Sequence, residues 1–314
     1  MCPAISVIIP VYNAEKNILF CLNSIMNQTF YNFEVIIIND GSTDSSGDIC
    51  DRYAKKDHRF KVYHKINGGV ASARQFGIEI VSGEYTLHID SDDWIEHNMF
   101  EELYHCAKEN NSDIVYFDYF LINKKKNIRV IKQDFGENIN ECVKAMLQHK
   151  MAGMLWTKMI KTSLFVDNDI NFPEGLNMWE DLYFSLRCFI KAKKISYLNK
   201  PYYYYVLNDG SMIDTMTFTK SKNKIEIAKK IFYLVDDVPY FKSELVITKV
   251  LAKIDFVGCK EIYNPREWKE NFPIKNIEIL NMRFAFKLKI IAFMANNGMA
   301  FMIYPIKRFL SLLK

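Results

Sequence analysis

Ile5-Ser6-Val7-Ile8-Ile9-Pro10 and Val35-Ile36-Ile37-Ile38 are short, nearly continuous apolar runs rich in β-branched residues. Runs of this kind fit strands covered on both faces, as in a parallel sheet. Pro10 has no N–H to give a central strand and closes the first run. Between the runs, Ile18, Leu22, Ile25 and Met26 make one apolar stripe, which predicts a helix from about Ala14 to Met26 with Asn13 as its cap. Outward from there the alternation continues. A helix follows Gly41-Ser42-Thr43-Asp44, with Ile49, Cys50 and Tyr53 inward, and Phe60–His64 alternates as a strand. Asn67-Gly68-Gly69 turns the chain into a helix over Val70–Val81. Tyr85–Ile89 reads as a strand, Met99–Glu109 as a helix, and Ile114–Phe120 as the strand that completes the sheet. Strand and helix in strict alternation predict a right-handed, doubly wound α/β domain. Lys124-Lys125-Lys126-Asn127 reads as a solvated turn, and from about Asn140 the pattern is helical and less regular.

The polar motifs at Asn13, Asp40, Asn67 and Asp90 all follow strands, where open α/β sheets bind ligands. Asp90-Ser91-Asp92-Asp93 puts three carboxylates into four residues. They repel one another unless a cation or hydrogen-bond donors neutralise them. Mg²⁺ or Mn²⁺ takes one or two protein carboxylates together with phosphate oxygens, so a metal-diphosphate site is one reading; an acidic turn capping the next helix is the other. Asp40 could accept from a base or a ribose hydroxyl, or serve an Asx turn with Ser42 or Thr43. Asn67-Gly68-Gly69 allows close approach to a ligand or makes a plain turn. Arg74 sits in the first turn of a helix, where a nearby anion such as a diphosphate would offset an unfavourable dipole contact; a surface arginine is the alternative. Trp179-Glu180-Asp181 precedes the apolar stripe of Leu182, Phe184, Leu186 and Phe189. A carboxylate beside that indole could be desolvated into a general base, or could simply complement a helix N-terminus.

Composition narrows the rest. The 314 residues are 49% hydrophobic, 25% charged and 14% aromatic, an ordinary profile for a chain able to bury a core. The net charge of +4 gives no case for a nucleic-acid partner. Seven scattered cysteines without a C-x-x-C pair argue against a disulfide framework or a zinc site and fit free thiols in a reducing cytosol. No G-x-G-x-x-G, P-loop or G-x-S-x-G motif is present, and His64 and His88 read as structural. The amino terminus does not read as a signal peptide. Asn296, Asn297 and Gly298 interrupt the most apolar stretch, Ile290–Tyr304.

Taken together, Ser6 to Asn13, Ile38 to Asp44, Asn67-Gly68-Gly69 through Ala73-Arg74, and Asp90 to Asp93 resemble glycosyltransferase family 2, the inverting enzymes with a GT-A fold, in order and spacing over roughly the first 120 residues. The resemblance implies a mostly parallel sheet flanked by helices, with a helical C-terminal extension. It implies a nucleotide-sugar-binding half over 1–122, an acceptor-side half over 123–225 and the extension over 226–314. It further implies transfer of a sugar from a nucleotide-diphosphate donor, UDP by family frequency, to a glycan or lipid-linked acceptor hydroxyl, in polysaccharide or glycolipid synthesis. Pro10, Tyr12, Asn13, Asp40 and Asn67 would hold the nucleoside, and Arg74 would lie near the base and diphosphate. Asp90 and Asp92 would form a D-x-D pair holding Mn²⁺ or Mg²⁺, with Asp92 the direct ligand. Glu180-Asp181 looks like the family's E-D pair, with Asp181 the base. Tyr204–Ser211 resembles a later acceptor-side segment to which no role is given.

The tail from Phe284 to Lys314 carries Lys287, Lys289, Lys307, Arg308 and Lys314 among apolar residues and no acidic ones. It reads as an interfacial amphipathic segment at the cytoplasmic face of a membrane or as a core-packed end with a basic edge. Two further readings are a nucleotide-sugar-binding protein without activity, which has no use for Asp181, and a sugar nucleotidyltransferase. The second needs a Gly-rich, Arg-containing loop where this chain has Val11-Tyr12-Asn13-Ala14-Glu15.

Overall fold

The computed structural model describes residues 2–207, 216–235, 238–258, 262, 264–282, 285–299 and 302–303. The chain forms two compact units, Met1–Val143 with Met151–Asp209, and Lys144–Lys150 with Gly210–Lys314.

The first unit runs β1 (Ile5–Val11), α1 (Ile18–Met26), β2 (Phe33–Asp40), α2 (Ser46–Lys56), β3 (Phe60–Lys65), α3 (Val70–Ile80), β4 (Tyr85–His88), β5 (Trp94–Ile95), α4 (Met99–Asn110), β6 (Ile114–Ile122) and β7 (Ile128–Ile131). After α5 (Ile139–Leu147) come β8 (Lys158–Lys161), α6 (Thr162–Val166), α7 (Glu180–Lys191) and β9 (Ile195–Val206). Among the described residues nine strands make one sheet in the order β3-β2-β1-β4-β8-β6-β9-β5, with β7 alongside β6.

The two halves of that sheet differ. β3, β2, β1 and β4 are parallel, with Ile5 opposite both Phe33 and Tyr85, and Val35 opposite Phe60. Their carboxyl ends therefore line up, and every residue of β2 is buried. Beyond β4 the sheet is mixed. β8 enters antiparallel between β4 and β6, β9 runs parallel to β6, and β5 and β7 pair antiparallel at the margins. The strand Ile114–Ile122 thus does not complete the sheet, because β8 and β9 join it from more distant sequence. The core packs α1, α2 and α4 against the sheet through Ile18, Leu22, Ile25, Ile49, Phe100 and Leu103. On α3, Gly77 leaves room for Ile8, which a β-carbon would strike.

The helix predicted from Ala14 begins at Ile18, and Asn13 does not cap it. Asn13 is left-handed at φ 49°, and its side chain is engaged by Thr43 instead. The Ala14 carbonyl closes the intervening turn on the N–H groups of Asn17 and Ile18. Lys124–Asn127 is the exposed turn between β6 and β7, as its charge suggested.

The second unit holds α8 (Phe218–Val235), α9 (Lys242–Lys253), α10 (Asp255–Gly258), α11 (Pro265–Glu270), α12 (Asn276–Asn281) and α13 (Phe286–Asn296). Val246, Ile247, Val250, Trp268, Ile279 and Ala292 share a core. Lys253 is buried there, donating to the carbonyls of Trp268, Asn271 and Phe272. Among the described residues no helix is long and apolar enough to cross a membrane. Parts of two sequence-predicted segments, 208–211 of Tyr204–Ser211 and 284, 300–301 and 304–314 of the tail, lie outside the described residues.

Candidate active site

The carboxyl ends of β1, β2 and β3 form one interlocked corner. The carboxylate of Asp40, which is 3% exposed, accepts from Lys65 Nζ at 2.6 Å, Gly68 N at 2.9 Å and Gly69 N at 2.8 Å. Asn67 Nδ2 donates to the Asp40 carbonyl at 2.8 Å. Asp40 thus shapes the 67–69 loop, with one carboxylate lone pair left over. Asp40 makes no Asx turn here: Asn39 Oδ1 instead reaches three residues on to accept from Ser42 N at 3.1 Å. Helix α2 is held at its start by Asp44 Oδ1 on Ser46 N at 2.9 Å. Asn13 closes the corner, accepting from Thr43 N at 2.8 Å and donating its own N–H to Ser42 Oγ at 3.1 Å. Pro10 is half-buried on β1, and Tyr12 is 54% exposed beside the corner.

The second cluster lies past the end of β4, and its carboxylates are in different states. Asp93 is buried, accepting from Tyr203 Oη at 2.8 Å and Val206 N at 2.9 Å. Burial, with Asp92 and Asp90 adding repulsion, pushes its pKa up. Asp90 accepts from Arg74 Nη2 at 2.9 Å. Asp92 is half-buried. The backbone of Asp90 is fixed as well. Its N–H donates to Tyr203 Oη at 3.0 Å, and its carbonyl accepts from Asp93 N at 3.2 Å and from the Cys21 thiol.

Arg74 joins this tip to Glu180-Asp181. Its guanidinium is buried and donates from Nη1 to Glu180 Oε1 at 2.7 Å, so the anions beside it are the chain's own carboxylates. Burial opposes the Arg74 charge, but Asp90 and Glu180 outweigh it and raise its pKa above the ordinary arginine value. Glu180, 4% exposed, is pushed up to about 7 by burial and by Asp181, against the pull of Arg74. Trp179 stands just before the pair in the left-handed region at φ 65°. That is a strained setting for a bulky residue and is common where a functional side chain must be aimed. Asp181, at the first turn of α7, is half-buried and accepts from Leu182 N. Below it, the fully buried Lys158 donates to Ala152 O, Met154 O and Thr157 Oγ1. Burial draws Lys158 down to about 7, while Asp181 pulls the other way.

The structure therefore brings Asn13, Asp40 and Asn67 together, and Arg74, Asp90 and Glu180 together, at the carboxyl end of the sheet. Sequence reasoning missed Asn177, whose Oδ1 caps α3 at Ala71 N (3.0 Å) and whose amide lies against Gly69. It also missed Lys65, Tyr203 and Lys158. A run of four tyrosines at 202–205 was the visible signal for Tyr203; nothing local marks the others. His64 pairs with Asn39 and Asp51, the structural role expected of it, whereas His88 is buried between Phe172 and Phe184 with its Nδ1 lacking a hydrogen-bond partner. A cleft of about 960 Å³ lies at the opposite end, lined by Tyr31, Glu34, Arg59 and Lys61. Glu34 there is already taken by Ser6, Ser82 and Lys61, and strand amino ends are not where open α/β sheets bind ligands.

The chain is similar to known proteins. EpsH of Bacillus subtilis (strain 168) is 38% identical over 217 residues, a match covering 67% of this chain and 63% of EpsH. Glycosyltransferase GlyG of Streptococcus pneumoniae is 35% identical over 229 residues, covering 68% of this chain and 74% of GlyG. The crystal structure of S. aureus TarS 1-349 in complex with UDP-GlcNAc superposes with a TM-score of 0.74 at 24% identity, over 99% of this chain and 92% of that one, and so shares the fold. The profile of Glycosyl transferase family 2 matches residues 6–167, which include Asp40, Arg74 and the acid tip. With more than half its length matched and the motifs of that match gathered at one sheet end, the chain belongs to glycosyl transferase family 2.

Proposed function

We propose that the chain is an inverting glycosyltransferase that moves a hexose or N-acetylhexosamine from a UDP-sugar to an acceptor hydroxyl in polysaccharide or glycolipid synthesis. The carrying observation is the Arg74 bridge. It places the acid tip and the Glu180-Asp181 pair on one guanidinium, at the sheet end where ligands bind.

The tip suits Mn²⁺ or Mg²⁺. Asp92 and Asp90 bring carboxylate oxygens, the hard donors such ions prefer, while Asp93 is turned inward onto Tyr203. Among the described residues no three side chains form a metal-binding group, so the protein would supply one or two carboxylates and the diphosphate the remainder. An ion held there by Asp92 and Asp90 would offset the charge gathering on the departing diphosphate. The chain's own residues do the rest. Tyr12, Asn13, Asp40 and Asn67 frame the nucleoside. Arg74 holds Glu180 and Asp90 in fixed relation, so the acidic groups keep their spacing as charge moves. Asp181 takes the proton of the acceptor hydroxyl as its oxygen attacks the anomeric carbon, and one displacement inverts that carbon.

A thermal-shift series with UDP and UDP-sugars, with and without Mn²⁺, should show a metal-dependent shift. Asp181→Asn should cut turnover by about 10²–10⁴-fold with UDP affinity nearly unchanged; wild-type turnover would end the base assignment. Asp92→Ala should lose the metal dependence, and full retention would end the metal assignment. A wild-type chain that binds a UDP-sugar with Mn²⁺ yet never transfers or hydrolyses it would be a binding protein.

The second unit supports peripheral membrane contact. Ile277, Leu280, Phe286 and Ile290 are exposed on α12 and α13, beside Lys287 and Lys289. Exposed apolar residues among lysines suit an anionic interface. The wild-type chain should float with vesicles of phosphatidylglycerol, and Phe286→Ser with Ile290→Ser should reduce flotation; equal flotation would remove this part of the reading.

A further inference from the structure

We infer that Tyr203 and Asp93 form a latch that positions the acid tip, making Tyr203 a positioning residue for the metal and diphosphate end of the reaction proposed above. The inference rests on that reading. Two atoms of the tip meet one phenol oxygen, since Asp90 N donates to it and it donates to Asp93 Oδ2. Val206 N takes the other Asp93 oxygen, so both are spent on β9.

The ring is fixed as firmly as the hydroxyl. Tyr203 is fully buried and stacked on Trp156, with centroids 4.4 Å apart and planes 10° apart. Trp156 also stacks on Tyr205 at 5.2 Å. A buried phenol needs a partner for its O–H, and here that partner is Asp93.

An acidic residue serving only its own turn would bind local N–H groups. Asp93 instead binds groups 110 and 113 residues away. A buried carboxylate is costly for stability, and a packed apolar residue would serve the core better. What the carboxylate supplies is register. It ties the tip to a strand whose own place is set by pairing with β6 and β5. With Asp90 N on Tyr203 and Asp90 O on Asp93 N and Cys21, the backbone carrying Asp90 and Asp92 has little freedom. Fixed donors cost less reorganisation when they take up an ion and a diphosphate.

The test is Tyr203→Phe in the full chain, which keeps the ring and its stacking and removes one hydroxyl. Mn²⁺ binding in the presence of UDP, read by electron paramagnetic resonance, should weaken by about tenfold, the equivalent of one organised hydrogen bond. Turnover should fall at least as far. Binding of UDP without metal should stay within about twofold of wild type, which a general loss of structure would not allow. Asp93→Asn keeps the Val206 bond and reverses the polarity at Tyr203, so it should fall between the two; it carries the test by the same criterion if Tyr203→Phe does not fold. Mn²⁺ affinity and turnover within about twofold of wild type in the folded variant would overturn the latch. If UDP binding by the wild type is indifferent to Mn²⁺, the metal site itself fails, and that outcome is visible before any variant is made.

Discussion

The Asp40 corner and the Asp90–Asp93 tip sit at the ends of neighbouring parts of one sheet, and both are built on aspartate. They use it differently. At the corner one carboxylate takes three donors from its own loop and stays in place by being nearly saturated. At the tip three carboxylates divide the work: Asp93 faces the protein, Asp90 is shared with Arg74, and Asp92 is half-buried. The corner is a shape, finished before any ligand arrives. The tip is a charge arrangement, with Arg74 as the cation shared by Asp90 and Glu180. A saturated carboxylate can position a loop but has little capacity for a new partner, whereas a divided cluster can hold some groups still and leave others for chemistry.

By this contrast, removing the cation at the tip should cost more than removing a charge at the corner. Arg74→Met leaves Asp90 and the buried Glu180 without their partner, and breaking a buried pair in this way costs about 3–5 kcal/mol. The thermal midpoint should fall by roughly 10 °C, and turnover should be lost with it. Asp40→Asn keeps a similar shape but weakens three hydrogen bonds, the Lys65 pair among them, at about 1–3 kcal/mol. Its main effect should be weaker nucleotide binding through a loosened 67–69 loop. Scanning calorimetry on both variants decides the matter; a larger loss in Asp40→Asn than in Arg74→Met would reverse the assignment of shape and charge.

The corner was also the more legible of the two in sequence. Buried parallel strands are apolar along their length, so β1 and β2 stand out, and the polar residues that end them are marked by position alone. Asp40, Asn67 and Asp90 all fall at strand ends for that reason. The mixed half hides itself. β8 is Lys-Met-Ile-Lys, too short and too polar at its ends to read as a central strand. β9 carries Asn199, Lys200 and Pro201, and the β6 register shifts around Asp118 opposite them. The tip suffers from this, because its three aspartates look alike until β9 arrives with Tyr203 and Val206. Arg74 is similar. The chain between it and Glu180 spans 106 residues, so a diphosphate was the natural partner to expect, and the structure supplies carboxylates. The Asn13 cap failed for a related reason. The residue type was right for a cap, but Thr43, thirty residues on, claims its oxygen.

The smallest effect is the most specific probe of the tip. Glu180 is pushed up to about 7 from an ordinary value of 4.5, first by burial and then by Asp181. An acid whose folded pKa lies above its unfolded one holds its proton more tightly when folded, so its contribution to stability is present below the unfolded value and is lost as the pH rises through the folded one. The window runs from about pH 4.5 to about pH 7, and across it folding stability should decline with rising pH by on the order of 1–3 kcal/mol. A protonated Glu180 still accepts from Arg74 through one oxygen, so the bridge survives on both sides of the window and only its charge balance changes. Glu180→Gln keeps that acceptor and removes the titration. In metal-free buffer the midpoint of the wild type should therefore fall relative to the glutamine variant between pH 5 and pH 8, and parallel curves would show that Glu180 is ionised throughout.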